Sequence, residues 1–237
     1  MFDELAQIIQ KISIFALPVV FAITLHEAAH GYVARYFGDM TAAAQGRITA
    51  NPLKHIDPVG TVLVPLVILV TSKLLGGGAI LFGWAKPVPV NFGNLRRPKQ
   101  DMLWVAAAGP GMNFLMAVFW GVAIQFAIVL QSEFFSRPMA FMGAAGVFIN
   151  VILMALNLLP LPPLDGGRIA VSLLPVKQAI QFSRIEPYGF IILLVLLFTG
   201  VLNIVLWPLI SLFIGLTALV TGLEPAQLIG LIQLVLA

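Results

Sequence analysis

The residues Leu25-His26-Glu27-Ala28-Ala29-His30 form an H-E-x-x-H motif at the end of the first apolar run of the chain. On a helix, residues four apart lie on one face, so His26 and His30 can offer two imidazole nitrogens to one metal ion. Glu27 is rotated away from this pair and is the candidate general base. The alternative is a pair of hydrogen-bonded histidines at a helix end, with Glu27 facing water or a basic partner. The motif therefore predicts a zinc site that needs another ligand.

The composition around this motif defines the class of protein. Of the 237 residues, 60% are hydrophobic and only 10% are charged, whereas soluble domains carry roughly 25% charged residues. The apolar runs are long enough for helices, while membrane barrels show short alternating segments. We therefore predict an α-helical integral membrane protein, a polytopic helical bundle that forms one membrane-embedded domain over residues 1–237. The absence of cysteine excludes disulfides and Cys-ligated zinc, and nothing indicates nucleic acid as a partner.

The apolar pattern predicts several long helices. The first covers about residues 8–37, carries the motif near its C-terminal end and stops at Gly38-Asp39. Further spans are predicted over residues 101–130, 139–159 and 188–206, with a span or half-span over 207–223 and an apolar tail, 224–237, that could lie at the membrane interface.

Two segments between the first two long helices break this pattern. The apolar part of residues 59–75 is shorter than the ~20 residues of a spanning helix, and Gly76-Gly77-Gly78 favours a reversal, so a re-entrant hairpin competes with a full span. In residues 84–91, prolines forbid a helix and favour extended backbone. That segment is a short edge (β) strand able to pair with an extended peptide, or a plain connecting loop.

Asp165 is the candidate third zinc ligand. A catalytic zinc usually takes three protein ligands and keeps a fourth position for water. Three prolines precede Asp165 and two glycines follow it, which places its carboxylate on a stiff turn. A carboxylate near hydrocarbon costs several kcal/mol unless it is paired or binds a metal. The alternative is a helix cap or a salt bridge to Arg168 at the membrane surface.

Two further polar residues each have two interpretations. Asn113 lies in an apolar helix and needs a partner, which is either a neighbouring helix or a substrate, so we count it among the candidate substrate-binding residues. His55 is the only histidine outside the motif. Its place between Lys54 and Asp57 in a turn-rich loop favours a surface histidine, and the alternative is a gate or accessory residue over the zinc.

These motifs together resemble the site-2 protease family of intramembrane zinc metalloproteases. The resemblance rests on three stretches in the same order as in that family, within a core of about residues 8–175. They are His26-Glu27-Ala28-Ala29-His30, Gly109-Pro110-Gly111-Met112-Asn113, and Asn157-Leu158-Leu159-Pro160-Leu161-Pro162-Pro163-Leu164-Asp165-Gly166. The C-terminal helices, 188–237, carry no motif. A PDZ-like insert is missing, as in a compact bacterial or archaeal subgroup.

The resemblance implies a set of residue roles. It makes His26, His30 and Asp165 the ligands of one zinc ion per chain, with Glu27 as the general base. It implies that Asn157 contacts the substrate. It also implies that a re-entrant β segment, which contains Trp84, Val88 and Val90, aligns the substrate.

The predicted function is hydrolysis of a peptide bond within or near a transmembrane segment of a substrate protein, by a zinc metalloendopeptidase of regulated intramembrane proteolysis. Its expected partners are transmembrane substrates and the lipid bilayer, and the sequence leaves the oligomeric state open. One alternative is a membrane metal or proton transporter, which should carry ionisable residues along a path to both faces. Another is a non-catalytic relative that binds membrane proteins, which would not need Glu27.

The zinc ligands also constrain the topology. The motif lies near the C-terminal end of the first helix and Asp165 lies past the C-terminal end of the span 139–159, so both ends must share one membrane side. A re-entrant hairpin over residues 59–75 satisfies this condition, whereas a full crossing does not. All basic residues except Lys11 and Arg137 then fall on one side, which the positive-inside rule makes cytoplasmic. We therefore expect a multi-pass protein of the inner (plasma) membrane, with the active site, hairpin and β segment towards the cytoplasm.

Overall fold

The computed structural model describes residues 2–64, Val67 and residues 86–236, and these residues are mostly helical and contain no strand. Short 3-10 turns cover Pro52–Lys54, Phe92–Asn94 and Glu186–Tyr188, and a π-helical segment covers Pro58–Leu63. The α-helices are α1 (Phe2–Tyr36), α2 (Thr41–Ala44), α3 (Pro98–Leu130), α4 (Ser136–Asn157), α5 (Asp165–Leu173), α6 (Val176–Ser183), α7 (Gly189–Phe198), α8 (Val201–Thr221) and α9 (Pro225–Leu236).

Within the described residues, five segments are long and apolar enough to cross a membrane. The prediction of an α-helical, multi-pass membrane protein is therefore confirmed. The five segments are Ile9–Tyr36, Pro98–Leu130, Ser136–Asn157, Val176–Phe198 and Val201–Thr221.

The centre of the bundle is the packing of α3 against α4, with α1 on one side and α8 and α9 on the other. Glycines on α4 allow this close approach. A Cβ at Gly146 would overlap the indole ring of Trp120, and one at Gly143 would overlap Ile124. Small residues at such contacts let two helix backbones come together in a membrane, where van der Waals packing drives association. The resulting core fixes the relative position of the three helices that carry the polar residues described below.

Hydrogen bonds connect the segment after the C-terminal end of α1 to the segment before the N-terminal end of α3. Gly38 has a φ of +110°, a conformation that glycine adopts readily, and it ends the helix. The buried Asp39 side chain then accepts hydrogen bonds from the Thr41 N–H and hydroxyl, from the Asn91 N–H at 2.8 Å and from the Asn94 amide at 3.1 Å. The Arg96 N–H also donates to the Phe37 carbonyl at 3.0 Å. The chain that leaves α1 therefore returns to the same end of the bundle.

The sequence prediction placed some helix boundaries wrongly. The helix α3 begins at Pro98, three residues before the predicted start, because proline is favoured in the first turn and the Asp101 carboxylate caps the Arg97 N–H at 2.7 Å. The break in the C-terminal region lies at Gly200, whose φ is +76°, and not at residue 206. Helix α8 continues through Pro208, since neighbouring helices in a membrane can compensate for a missing donor.

The apolar tail is a helix that packs on the bundle. Leu228, Ile232 and Val235 of α9 are buried in the main core cluster. The sequence had suggested that this tail could lie at the membrane interface. Its buried face packs against α4 and α8, because these three residues lie on one side of the helix. A tail packed in this way is compatible with a position at the interface, which stays a prediction.

The predicted hairpin and β segment fall only partly within the described residues. Most of residues 65–85, including Trp84 and the glycine triplet, lie outside them. The described start of the hairpin is the π-helical segment, capped by the Asp57 carboxylate, which accepts the N–H groups of Val59 and Gly60 at 2.8 and 2.9 Å. Residues 86–91 are irregular and form no strand, so the β segment is not confirmed there.

We expect Asp39→Asn to lower the midpoint temperature of thermal unfolding at pH 7. Burial by itself raises the pKa of Asp39, but the hydrogen bonds from Thr41, Asn91 and Asn94 outweigh burial and lower it. In Asp39→Asn, the side-chain amide nitrogen would face donors whose hydrogen bonds it cannot accept. The free energy of unfolding should therefore fall by a value on the order of 2 kcal/mol. Because the folded pKa is lowered, the stabilisation is present above the unfolded pKa of about 3.9 and is lost as the pH falls through the folded value.

Differential scanning fluorimetry of the purified protein between pH 7 and pH 3 measures this effect. The difference between wild type and Asp39→Asn should hold down to about pH 5 and shrink below about pH 4. Glu133→Gln is the control, because Glu133 is exposed in the turn before α4. A difference no larger than that of the control at pH 7 would contradict the role of Asp39.

Candidate metal centre

His26, His30 and Asp165 meet in the interior of the protein. The two Nε2 atoms lie 3.1 Å apart, and the Asp165 Oδ2 lies 3.2 Å from His26 Nε2 and 3.3 Å from His30 Nε2. These three residues form a cluster that could hold a metal ion. The structure therefore brings together the ligand set expected from the sequence.

The turn before α5 positions Asp165 next to the two histidines. Asp165 is the first residue of α5, directly after the turn that contains the prolines. Gly166 packs against the carbonyls of Leu158 and Leu159, and Gly167 packs against Pro162, so a Cβ at either glycine would collide with backbone. The predicted alternative, a salt bridge from Asp165 to Arg168, does not form, because the Arg168 guanidinium lies over the Phe92 ring, 5.1 Å from its centroid.

Each histidine is held at the ring nitrogen that faces away from Asp165. His26 Nδ1 lies 2.6 Å from the Asn113 side-chain oxygen, and His30 Nδ1 lies 2.7 Å from the Val105 carbonyl oxygen. Both partners are acceptors, so both Nδ1 atoms carry the hydrogen. In the neutral imidazoles the two Nε2 lone pairs then point into the cluster. Such outer partners are the usual way in which proteins orient metal-binding histidines.

The cluster needs a positive charge at its centre. Two nitrogen lone pairs and a carboxylate oxygen repel one another when buried, and Asp165 Oδ2 has no hydrogen-bond partner in the described part of the chain. Burial raises the pKa of the Asp165 carboxyl, and His26 and His30 would lower it below its usual range only if they carried protons on the nitrogens that face it. A cation between the three atoms would take the place of such protons and pair with the carboxylate.

The donor set fits zinc. Tetrahedral zinc takes imidazole nitrogen and carboxylate oxygen at about 2.0–2.2 Å, and ligands at that distance lie about 3.3 Å from one another. The three separations here, between 3.1 and 3.3 Å, agree with this value. Three protein ligands leave a fourth position for water or substrate, as in catalytic zinc sites.

The Glu27 carboxylate is held by a backbone group from the 86–91 segment. Its Oε2 accepts the Val88 N–H at 2.7 Å, and Val88 itself is buried. Glu27 lies on the same helix as the two histidines but is not part of their cluster. Glu27 therefore offers a carboxylate that is held in position beside the candidate ligands. A general base needs such an arrangement.

The 86–91 segment is not a free strand edge. The N–H groups of Lys86, Val88 and Asn91 donate to the His55 carbonyl, Glu27 and Asp39, respectively. The buried Arg47 guanidinium donates to the Lys86 carbonyl at 2.8 Å. The two prolines have no N–H to offer. The expectation of an edge that takes up an extended peptide is therefore not supported, because internal partners occupy most of its backbone groups.

The structure also places three of the other predicted substrate contacts, Asn113, Asn157 and Val90. Asn113 is fully buried and bonds to His26, the Ala22 carbonyl and Asn150. A substrate contact by Asn113 does not fit this placement, and a helix-to-helix contact does. Asn157 is half-buried at the end of α4, where its amide donates to the Leu153 carbonyl at 2.9 Å. Val90 packs against the cluster of Ala34, Leu95 and Val105.

His55 is not the surface histidine that its sequence context favoured. It is buried, with 2% of its surface exposed, and its Nε2 lies 3.0 Å from the Thr49 carbonyl oxygen. It is not part of the His26, His30 and Asp165 cluster. The surface interpretation failed because the loop folds back on itself, with the Lys86 N–H bonded to the His55 carbonyl.

Gly109 was quoted in the sequence analysis only as part of a motif, and Asn150 and Arg47 were not given a place at this site. Gly109 lies against both imidazoles, Asn150 supports Asn113, and Arg47 fixes the Lys86 carbonyl. Asn150 could have been found, since it is a second asparagine in an apolar span and so needs a partner. Arg47 lies in a polar loop and gave no comparable signal.

Comparison with known proteins relates this site to zinc proteases. A family model described as Peptidase family M50 matches residues 124–200, which include Asp165 but not the two histidines. A candidate zinc metalloprotease of Bacillus subtilis, YwhC, is 39% identical over 202 residues, which cover 82% of this chain and 84% of that protein. No solved structure matches the chain.

Mycobacterial proteins give weaker matches. The candidate zinc metalloprotease Rip2 of Mycolicibacterium smegmatis is 32% identical over 185 residues. Rip2 of Mycobacterium tuberculosis strain H37Rv is 27% identical over 183 residues. Each of these matches covers 77% of this chain and 65% of the relative, so the chain spans about two thirds of the mycobacterial proteins.

We expect Gly109→Ala to weaken zinc binding at least tenfold, because the added methyl group would enter the space of His26 and His30. Gly111→Ala is a matched control on the same helix, since a Cβ there has no heavy atom within 4 Å. Both variants change helix propensity in the same way. Competition with a fluorescent zinc chelator measures the affinity. Equal zinc affinity of the two variants would contradict the placement of α3 against the histidines.

Proposed function

Because this chain belongs to the site-2 protease family of intramembrane zinc metalloproteases, we propose that its H-E-x-x-H helix and Asp165 form the catalytic centre. The substrate would be a protein whose scissile peptide bond lies within or near a transmembrane segment. The observation that carries this proposal is the convergence of two Nε2 atoms and one carboxylate oxygen within 3.3 Å in a buried site. A buried cluster of this kind is expected at a metal centre and is costly elsewhere in a membrane protein.

Each residue of the site has a proposed role. His26 and His30 ligate through Nε2, and Asp165 supplies the anionic oxygen. A zinc ion held by these three residues would polarise the scissile carbonyl and acidify the attacking water. Glu27 takes the proton from that water and passes it to the leaving amine. The Val88 N–H supports this role, because it fixes one carboxylate oxygen at 2.7 Å and leaves the other for the proton.

The substrate must expose its backbone near this site. A helix keeps its carbonyls in internal hydrogen bonds, so the scissile segment has to unwind before attack. We propose that Asn157 contacts the unwound segment, and that Val88 and Val90 belong to the chain that runs beside it. The 86–91 segment would then act chiefly by holding Glu27. These parts form one membrane-embedded protease domain, and no observation favours a transporter or a non-catalytic binding protein.

We also propose that the active site faces the cytoplasm of a cell with the protein in its inner membrane. The connection from α1 to α3 starts and ends at the same end of the bundle, with Phe37 bonded to Arg96. A re-entrant hairpin over residues 59–75 would satisfy that connection. The basic residues of the described part support the orientation, because we assign most of them to segments at this end and the positive-inside rule assigns such segments to the cytoplasm.

Glu27→Gln should abolish peptide hydrolysis while zinc content stays near one ion per chain. Loss of a general base typically lowers the rate by about 10² to 10⁴-fold, whereas the ligand set is intact. Comparison of membrane proteomes from wild-type and Glu27→Gln cells would identify proteins that accumulate uncleaved, and the purified enzyme can then be assayed on them. Elemental analysis gives the zinc content. Zinc loss in this variant would overturn the assignment of Glu27 as base.

Asp165→Asn is the contrasting variant. It replaces an anionic ligand by a neutral one of the same shape, so zinc affinity should fall together with activity. Excess zinc should restore part of the activity in Asp165→Asn but none in Glu27→Gln. Full zinc affinity in Asp165→Asn would mean that another residue is the third ligand.

Single cysteines test the topology, because the chain has none of its own. Lys54→Cys and Lys177→Cys should react with a membrane-impermeant maleimide from the cytoplasmic face, and Glu133→Cys from the opposite face. All three positions are exposed. Lys54 lies before the proposed hairpin, and Lys177 lies after the pair of helices α3 and α4. This pair crosses the membrane and returns to the same face, so only the hairpin decides whether the two lysines share a face. Labelling of Lys54→Cys and Lys177→Cys from opposite faces would show that the connection between α1 and α3 crosses the membrane.

A further inference from the structure

Behind the metal site, three side chains form a hydrogen-bonded line across three helices. Asn150 of α4 donates from Nδ2 to the Gly146 carbonyl at 2.8 Å, and its Oδ1 accepts from Asn113 Nδ2 of α3 at 2.9 Å. The Asn113 Oδ1 in turn lies 2.6 Å from His26 Nδ1 of α1. Both asparagines are fully buried. In the part of the chain that the structure describes, this line connects α4 by hydrogen bonds to a candidate zinc ligand on α1, in addition to the direct packing of the two helices.

The line has one consistent arrangement of hydrogens. The Gly146 carbonyl can only accept, so Asn150 must present Nδ2 to it and Oδ1 to Asn113. Asn113 must then present Nδ2 to Asn150 and Oδ1 to His26. A second acceptor, the Ala22 carbonyl at 3.2 Å from Asn113 Nδ2, favours the same orientation. His26 therefore carries its hydrogen on Nδ1 and keeps the lone pair on Nε2 for a metal.

We propose that Asn150 is a positioning residue for the metal centre. It acts through Asn113 and holds His26 in the tautomer and ring orientation that can bind zinc. Without it, the Asn113 amide is oriented only by the longer contact to Ala22, and the His26 ring can exchange its hydrogen between the two nitrogens. Loss of an outer partner of a metal-binding histidine typically weakens metal affinity by about 10 to 100-fold. The inference rests on the zinc site of the proposed function but not on peptide hydrolysis.

Helix association is the other role that these asparagines could have. Hydrogen bonds between asparagines on neighbouring membrane helices stabilise their packing. That role predicts a less stable protein with an unchanged affinity for zinc. A role in positioning predicts a change in zinc affinity that the stability of the zinc-free protein does not explain. The two roles therefore differ in a measurable way.

The experiment uses the full chain in detergent and measures zinc affinity by chelator competition. Asn150→Leu should raise the zinc Kd about tenfold, and Asn113→Leu at least as much. The double variant should match Asn113→Leu alone, because Asn150 acts through Asn113. Thr217→Val is the matched control, since Thr217 is also fully buried in a membrane span and its hydroxyl donates to the Phe213 carbonyl of its own helix.

Two further measurements separate positioning from packing. Replacing Asn113 by Asp in the Asn150→Leu background should restore zinc affinity to within about threefold of wild type, because both oxygens of a carboxylate accept from His26. ¹⁵N NMR of the three histidine imidazoles is recorded on the zinc-free protein at a pH where the imidazoles are neutral. It should show that His26 of the wild type carries its hydrogen on Nδ1. This spectrum needs no variant and so does not depend on the folding of Asn150→Leu.

The outcomes distinguish this inference from the proposed function. An unchanged zinc Kd in Asn150→Leu, additive effects of the two leucine variants, or hydrogen on Nε2 of His26 in the wild type would each overturn the inference. The zinc centre would still stand in those cases. A wild type that binds zinc but cleaves no membrane protein would overturn the proposed protease function and leave the role of Asn150 intact.

Discussion

The mutual repulsion of three acceptor atoms is the constraint on which the site depends. Two imidazole lone pairs and a carboxylate oxygen lie within 3.3 Å of one another in the protein interior. In a medium of low dielectric constant such repulsion is far stronger than in water. Only a positive charge between the atoms removes it, and a divalent ion does so more completely than a proton. The surrounding structure therefore serves to keep these atoms together in spite of their repulsion.

Several features of the fold meet this requirement without polar groups. The glycine at 109 lets α3 approach both imidazoles, and the glycines at 166 and 167 let the preceding turn close over the start of α5. His30 and Asp165 are 135 residues apart in the chain, so the packing of α1, α3 and α4 has to be rigid. Tight glycine contacts between α3 and α4 supply that rigidity. The site is thus as much a product of close helix packing as of its ligands.

The cluster of candidate ligands could be predicted from sequence because the chemistry of such residues depends on residue type and local spacing. Two histidines four residues apart share a helix face whatever surrounds them, and a carboxylate between prolines and glycines has few other uses in a membrane protein. The partners of these ligands could not be predicted in the same way. Asn113 contacts His26 only because three helices pack together, and the 86–91 segment has no free edge because Arg47, Asp39 and Glu27 reach it from distant parts of the chain. The helix break at Gly200 was misplaced because proline and glycine both interrupt a helical pattern, and composition alone does not rank them.

The two histidines differ in the nature of their supports. His26 is held by a side chain, whereas His30 is held by the Val105 carbonyl, which belongs to the backbone of α3. A point mutation can remove the first support, but any residue at position 105 still provides the second. Over evolutionary time the environment of His26 is therefore open to gradual tuning by substitution, while that of His30 is inherited with the helix itself. Differences in metal affinity among related chains should accordingly arise on the His26 side of the site.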